Sequence, residues 1–154
     1  MSKKNYIPII ENIVNLDILD YTSKNILKGF QVKKIVDKTH PCYNQCGLFS
    51  TTKWYSYDIV GEYKGEILSI YDVNRSIPSD YFAGFSIDGF QGIGIDAQKY
   101  GSEMRFINHY KGISQKPNVK FVDYIDDAST RIMVVCTREI NVGEELVVDY
   151  GYEP

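Results

Sequence analysis

Long apolar runs are missing from this sequence. Nowhere do apolar residues approach the ~18 in succession that a membrane-spanning helix requires, and the two lysines of the opening Met1 to Tyr6 have no apolar stretch behind them, so neither a span nor a secretory signal is expected. A cationic surplus is missing too. With 17 Lys and Arg against 20 Asp and Glu, the formal charge is −3, which offers no positive blanket for phosphates and argues against direct nucleic-acid binding. Cysteine is scarce and odd in number. Cys42, Cys46 and Cys136 do not make a disulfide scaffold in a chain of 154 residues; thiols in a reducing compartment are expected. His40, Cys42 and Cys46 lie close enough to supply zinc ligands, but the spacing is not that of a standard finger and a fourth ligand would have to come from afar, so a small loop of buried thiols without metal is the favoured reading. Repeats, low-complexity tracts and Gly/Ser linkers are also lacking. So is the strand-to-helix glycine turn of dinucleotide-binding folds, and a nucleotide-like cofactor would have to be held by loops.

What remains is an ordinary globular composition, 44% apolar and 24% charged, long enough to close a single core without metal or disulfide staples. Residues 1–40 read as an N-terminal extension or flanking arm, in which 15–20 forms a short helix or an irregular piece, and residues 41–154 as the domain itself. From Cys46 onward, short β-type runs alternate with glycine and acidic turns, the pattern of a mainly β domain. Strands are expected at Asp58 to Tyr63 and Glu66 to Tyr71, parted by a turn at Lys64-Gly65, and at Tyr81 to Ile87 and Gly94 to Ala97. Val119 to Ile125 and Arg131 to Thr137 form a hairpin through Asp126-Asp127-Ala128-Ser129, whose short polar side chains favour a turn. A polar turn at 141–145 leads into a final strand, Leu146 to Tyr150.

Three stretches carry chemistry: Arg105-Phe106-Ile107-Asn108-His109, then Pro117-Asn118, then Gly143-Glu144-Glu145-Leu146-Val147-Val148-Asp149-Tyr150-Gly151. Singly, each has a plain structural reading, because an Asn-His pair in a loop is commonly a hydrogen-bonded corner and a tyrosine ending a strand commonly packs on core or rim. In this order, and together with Gly47-Leu48-Phe49, Gly61-Glu62-Tyr63-Lys64-Gly65-Glu66 and Ile95-Asp96-Ala97, they resemble the SET domain over residues 45–152. The resemblance implies a mainly β fold, the SET-domain β-clip of small curved sheets with few short helices. In that fold a C-terminal pseudoknot brings the Asn-His segment against the last tyrosine. It also implies a protein-lysine N-methyltransferase that uses S-adenosylmethionine, in a minimal form without a cysteine-rich post-SET segment.

Carried over residue by residue, the resemblance gives Asn108 and His109 to the cofactor, with Arg105 and Phe106 shaping their loop and Gly47 and Leu48 approaching through the backbone. Gln45 stands where the family has the first glycine of Gly-x-Gly. Tyr150 matches the catalytic tyrosine. Tyr81 matches a tyrosine of the substrate-lysine channel, its alternative being a strand aromatic over the core. Phe121 and Val148 are expected in the channel wall, where neither offers a hydroxyl to anchor water, an arrangement expected to favour di- or trimethylation. Glu144 and Glu145 read as a solvated turn with one of the two tying the knot, and Lys111 to Lys116 as an exposed insertion. The implied partner is a lysine-bearing protein, histone tails included; homodimerisation follows the habit of other minimal SET proteins. A soluble intracellular protein is expected, with the nucleus or a host nucleus as its site of action. The competing reading is a SET-like binding module that has lost turnover.

Overall fold

The computed structural model of the chain describes residues 29–69, 80–85, 93–125 and 130–151. The expected piece at 15–20, the turn at 126–129 and parts of the strands expected at 66–71 and 81–87 lie outside them. Among the described residues, ten short strands form four small sheets, and no helix is long and apolar enough to cross a membrane.

The largest sheet forms where the sequence is most uniformly apolar. Strand β9 (Thr130–Cys136) lies between β3 (Ile59–Glu62) and β8 (Val119–Ile125), antiparallel to both. Side chains alternate across a strand: Ile132, Val134 and Cys136 join the main core, while Met133 and Val135 meet Val122, Ile59 and Tyr124 on the opposite face. That double burial is why the segment shows no polar alternation. The hairpin strands fall where expected. A register shift between Ile59 and Gly61 kinks β3 against its neighbour.

The segments either side of Lys64-Gly65 do not pair with each other. Strand β4 (Glu66–Ser69) instead joins β6 (Ile93–Asp96), which also takes β5 (Phe82–Gly84) on its other edge. Tyr63, at the crossing point, is wholly buried, packs on Phe121 with ring centroids 5.2 Å apart and donates its hydroxyl to the Tyr81 carbonyl at 2.6 Å. Burial drives the Tyr63 phenol pKa far up, so it stays a neutral donor linking the two sheets.

Ahead of residue 41, β1 (Phe30–Lys34) pairs with β2 (Cys46–Ser50) along five positions from Phe30↔Ser50 to Lys34↔Cys46. The acidic turn runs along β2 on a course fixed by Gly143 N–H to Ser50 O at 2.9 Å, Ser50 N–H to Glu144 O at 2.9 Å and Leu146 N–H to Leu48 O at 2.8 Å. The last element, β10 (Val147–Val148), is shorter than the expected 146–150 and pairs in parallel with β7 (Asn108–His109). Buried Asn118 locks it: its Oδ1 accepts from Val147 N–H at 2.8 Å, its Nδ2 donates to Glu145 O at 2.8 Å, and its own N–H reaches Val147 O at 3.0 Å. The C-terminal segment is thus held by β2, by β7 and by Asn118, the threading that the pseudoknot requires.

Candidate active site

The knot brings together residues as far apart in the chain as Cys42 and Tyr150. A cleft of about 620 Å³ is lined by Tyr81 and Asp80 from the entry to β5, by Arg105, Phe106, Asn108 and His109, by Tyr150, by Cys42 and Gln45 from the loop before β2, and by Cys46 at the start of that strand. Its size suits a ligand of drug or cofactor dimensions. Six of the ten residues assigned from the sequence line this one cleft. The other four lie behind it: Gly47, Leu48, Phe121 and Val148 are buried, and the last three belong to the main core. Gly47 has a local reason to be glycine, since a Cβ there would come 2.7 Å from Glu145 Oε1.

A 3₁₀ turn, Glu103–Phe106, leads into β7. Ser102 anchors its start by donating Oγ–H to Glu62 O at 2.6 Å, and Arg105 reaches Ala97 O at 3.1 Å with its guanidinium 4.9 Å from the Phe106 ring centroid. Arg105 is therefore part of the fixed wall. Asn108 is held by two acceptors, Cys46 O at 3.1 Å and Glu145 Oε1 at 3.0 Å, both met by its amide nitrogen. With both amide hydrogens engaged, the side-chain oxygen is the group it can offer a ligand, an acceptor suited to an ammonium.

Tyr150 is fixed at both ends. Its backbone N–H donates to His109 Nδ1 at 3.0 Å, its hydroxyl donates to Ile107 O at 2.5 Å, and its ring lies 5.3 Å from the imidazole. The phenolic hydrogen is directed at a carbonyl, which leaves the oxygen's lone pairs as its contribution to chemistry. His109 Nδ1 must be unprotonated to accept that bond, and burial holds the imidazole pKa below its ordinary value, against an opposing pull from Asp149.

A pH dependence follows. The folded state resists protonation of His109, whereas the unfolded chain takes up the proton near the ordinary pKa of ~6.5, so stability is full above that value and declines as pH falls through it toward the lower folded pKa. The melting temperature is expected to drop between pH 7 and pH 5.5. His109→Asn, whose Oδ1 can replace Nδ1 as acceptor without titrating, should flatten that drop; an unaltered slope in the variant would remove His109 as its source.

Several functional residues were not assigned from the sequence. Asp80 lines the cleft without belonging to any expected set, Gln45 entered only as a departure, and Cys42 and Cys46, expected as buried thiols, are instead half-buried and exposed on the cleft wall. Of the turn glutamates, one does tie the knot, Glu145, and the other, Glu144, is only partly exposed and is held by three donors. Glu144 is gripped by Arg138 at 3.0 Å, Asn118 at 3.3 Å and Asn141 N–H at 3.1 Å, and these bonds outweigh burial to keep its carboxyl pKa low. The Glu145 side chain is only 7% exposed. The inserted residues after Tyr110 fold back in a compact turn, with Ile113 and Ser114 N–H on Tyr110 O, and Gly112 at φ 83° leaves so little room that a Cβ would lie 2.6 Å from Pro41. Among the described residues no three potential ligands cluster for a metal ion.

The model of the SET domain family matches residues 45–151. The histone-lysine N-methyltransferase SUV39H2 of Bos taurus is 31% identical over 146 residues, covering 85% of this chain and 33% of that protein. MEDEA of Arabidopsis thaliana, also named a histone-lysine N-methyltransferase, is 30% identical over 153 residues, 96% of this chain and 20% of that one. Among solved structures, a chain of ctPRC2 in an autoinhibited conformation bound to S-adenosylmethionine superposes with a TM-score of 0.62 at 26% identity, covering 83% of this chain and 16% of its own. The chain therefore spans at most about a third of the length of these relatives. Matching the family model across more than half its length, with the knot and the Asn-His and tyrosine segments in place, the chain belongs to the SET-domain family.

Proposed function

We propose that this chain binds S-adenosylmethionine in the cleft and transfers its methyl group to the side-chain amine of lysine in a protein substrate. The observation that carries this reading is the meeting of Asn108, His109, Tyr81 and Tyr150 on one cleft. Its support from outside is that the relatives are named histone-lysine N-methyltransferases and that the ctPRC2 neighbour is bound to S-adenosylmethionine. That ligand supplies an electrophilic methyl carbon on a sulfonium and presents an amino-acid ammonium; the free acceptor on Asn108 suits the ammonium. Arg105, Phe106 and His109 complete the cofactor side, with Gly47 and Leu48 supporting it from the strand beneath.

The chain's own residues have two tasks. Lysine, with an unperturbed pKa of ~10.4, arrives protonated and has no lone pair to attack with. Removal from water among Tyr81, Phe106 and Tyr150 disfavours the ammonium form and favours proton loss to solvent before reaction. Tyr150 is not the base, because a neutral phenol already donating to Ile107 O is a poor proton acceptor. Its oxygen can instead accept a hydrogen bond from the incoming amine, orienting the lone pair and stabilising charge as the bond forms.

Histone tails are the favoured substrate class, with chromatin of the cell's own or a host nucleus as the site of action. Homodimerisation draws no support from these comparisons. Two measurements test the main reading. S-adenosylhomocysteine should raise the melting temperature, by the equivalent of about 2.7 kcal/mol at a hundredfold excess over Kd, and labelled methyl groups should appear on lysines of purified histones or of a whole lysate. An unshifted melting curve together with no labelled lysine would overturn the assignment.

We further infer di- or trimethylation. Phe121 and Val148 are apolar and buried, and the nearby Tyr63 hydroxyl is engaged by the Tyr81 carbonyl. None of them offers a hydroxyl to trap a water beside a partly methylated amine, so the amine is free to turn and react again. Time-resolved mass spectrometry of a peptide under excess cofactor should show two or three methyl groups, and Phe121→Tyr should shift the product toward one. Arrest at a single methyl in the unaltered protein would contradict the inference.

A further inference from the structure

The loop between β1 and β2 holds a histidine that the reading above leaves without a task. His40 Nδ1 accepts the Cys42 backbone N–H at 2.9 Å, so the ring hydrogen resides on Nε2, which faces Glu145 Oε2 at 2.6 Å. The same carboxylate accepts from Asn108 Nδ2 through Oε1 at 3.0 Å. The His40 and Glu145 side chains are only 12% and 7% exposed, and a charge-assisted bond so sheltered from water is among the stronger ones a protein makes. The chain of contacts therefore runs from the 35–45 loop through Glu145 to Asn108. The next residue, Pro41, rests against Gly112 of the inserted turn, and the residues after it, Cys42, Gln45 and Cys46, form one wall of the cleft.

We propose that His40 is a positioning residue: through Glu145 it sets the amide of Asn108 for the ligand, and it clamps the 35–45 loop as a wall of the cleft. The proposal rests on the reading of this cleft as a cofactor site. Glu145 has two oxygens and two donors, one from the loop and one from β7, so losing the loop donor frees the carboxylate to turn and Asn108 with it. The wall loses its hold on the knot at the same moment.

Two substitutions separate this role from a purely local one. His40→Asn keeps an acceptor near Nδ1 for the Cys42 N–H and removes the donor to Glu145. His40→Gln does the reverse, placing an amide N–H near Nε2. His40→Asn should lower the melting temperature, since it leaves the sheltered Glu145 carboxylate without its loop donor, and should weaken S-adenosylhomocysteine binding about tenfold in calorimetry; His40→Gln should restore most of both. Alkylation of Cys42 and Cys46 by iodoacetamide, followed by mass spectrometry, reports the wall without any ligand: both should react several times faster in His40→Asn than in the unaltered protein or His40→Gln. Cys136, buried and with its thiol pKa pushed up to about 12, serves as the unreactive reference. Faster alkylation in a protein that binds no S-adenosylhomocysteine would leave the clamp standing and remove the cofactor reading. Unchanged affinity in a protein that does bind it, unchanged alkylation, or equal losses in both variants would overturn the proposal.

Discussion

Replacing Tyr150 with phenylalanine should reduce methyl transfer by roughly 10²–10³-fold, the range seen when one preorganised hydrogen-bonding group is removed from a reacting centre. The ring, its packing on His109 and the backbone bond from Tyr150 N–H to His109 Nδ1 all survive the change. Only the hydroxyl is lost, and with it the bond to Ile107 O, whose net worth to stability is about 1 kcal/mol. The protein should fold, and its affinity for S-adenosylhomocysteine should stay within about threefold, because the hydroxyl acts on the attacking amine. The loss should appear in kcat and in kcat/KM alike, as expected of a contact made mainly in the transition state. Single-turnover methylation of a histone peptide, with binding measured separately, checks this. Full activity would take Tyr150 out of the mechanism, and loss of binding in proportion to loss of rate would make it a cofactor contact instead.

The second large effect is expected on stability, at Asn118→Ala. This side chain is 1% exposed and satisfies Val147 N–H and Glu145 O, with a longer bond to Glu144 Oε2. Alanine leaves a buried donor and a buried acceptor in the threaded segment without these partners, at about 1–3 kcal/mol each. A loss of about 3–5 kcal/mol is expected against a total stability of about 5–15 kcal/mol, enough to lower the melting temperature by roughly 6–20 °C in a chain of this size. Urea titration should show a lower midpoint with a steeply weakened cofactor response, because the same segment delivers Tyr150. A shift under about 1 kcal/mol would mean that other contacts hold the knot.

These two residues show how unevenly the site could be read. Tyr150 and the Asn108-His109 pair were legible because residue type, order and separation together match one family. Asn118 was visible in the Pro117-Asn118 motif but had no task until the fold put it beside Val147, 29 positions later. The acidic turn was partly misread for a related reason. Consecutive glutamates near a glycine look solvated, and only tertiary contacts show that Glu145 is buried between His40 and Asn108 while the partly exposed Glu144 is held by Arg138 and Asn118. His40 itself was weighed as a zinc ligand, since its spacing to Cys42 and Cys46 is a local signal and its bond to a residue 105 positions away is not.

Strand content followed the same division. The β8 and β9 strands stand out in the sequence because each is long, apolar and next to its partner in the chain. Strand β7 was read as a loop, since two residues have no periodicity and their parallel partner, Val147–Val148, lies far along the chain. By itself the sequence determined a small mainly β domain, the hairpin of its longest strands and the order of the chemical motifs, because hydrophobic patterning and residue type act within a few positions. Which strands pair across distance, how the last segment threads past β2 and β7, and which donors satisfy Glu145 were decided only by the tertiary structure. Those outcomes depend on buried polar groups finding partners, and a buried donor takes whichever acceptor the packing brings near it, at any separation along the chain.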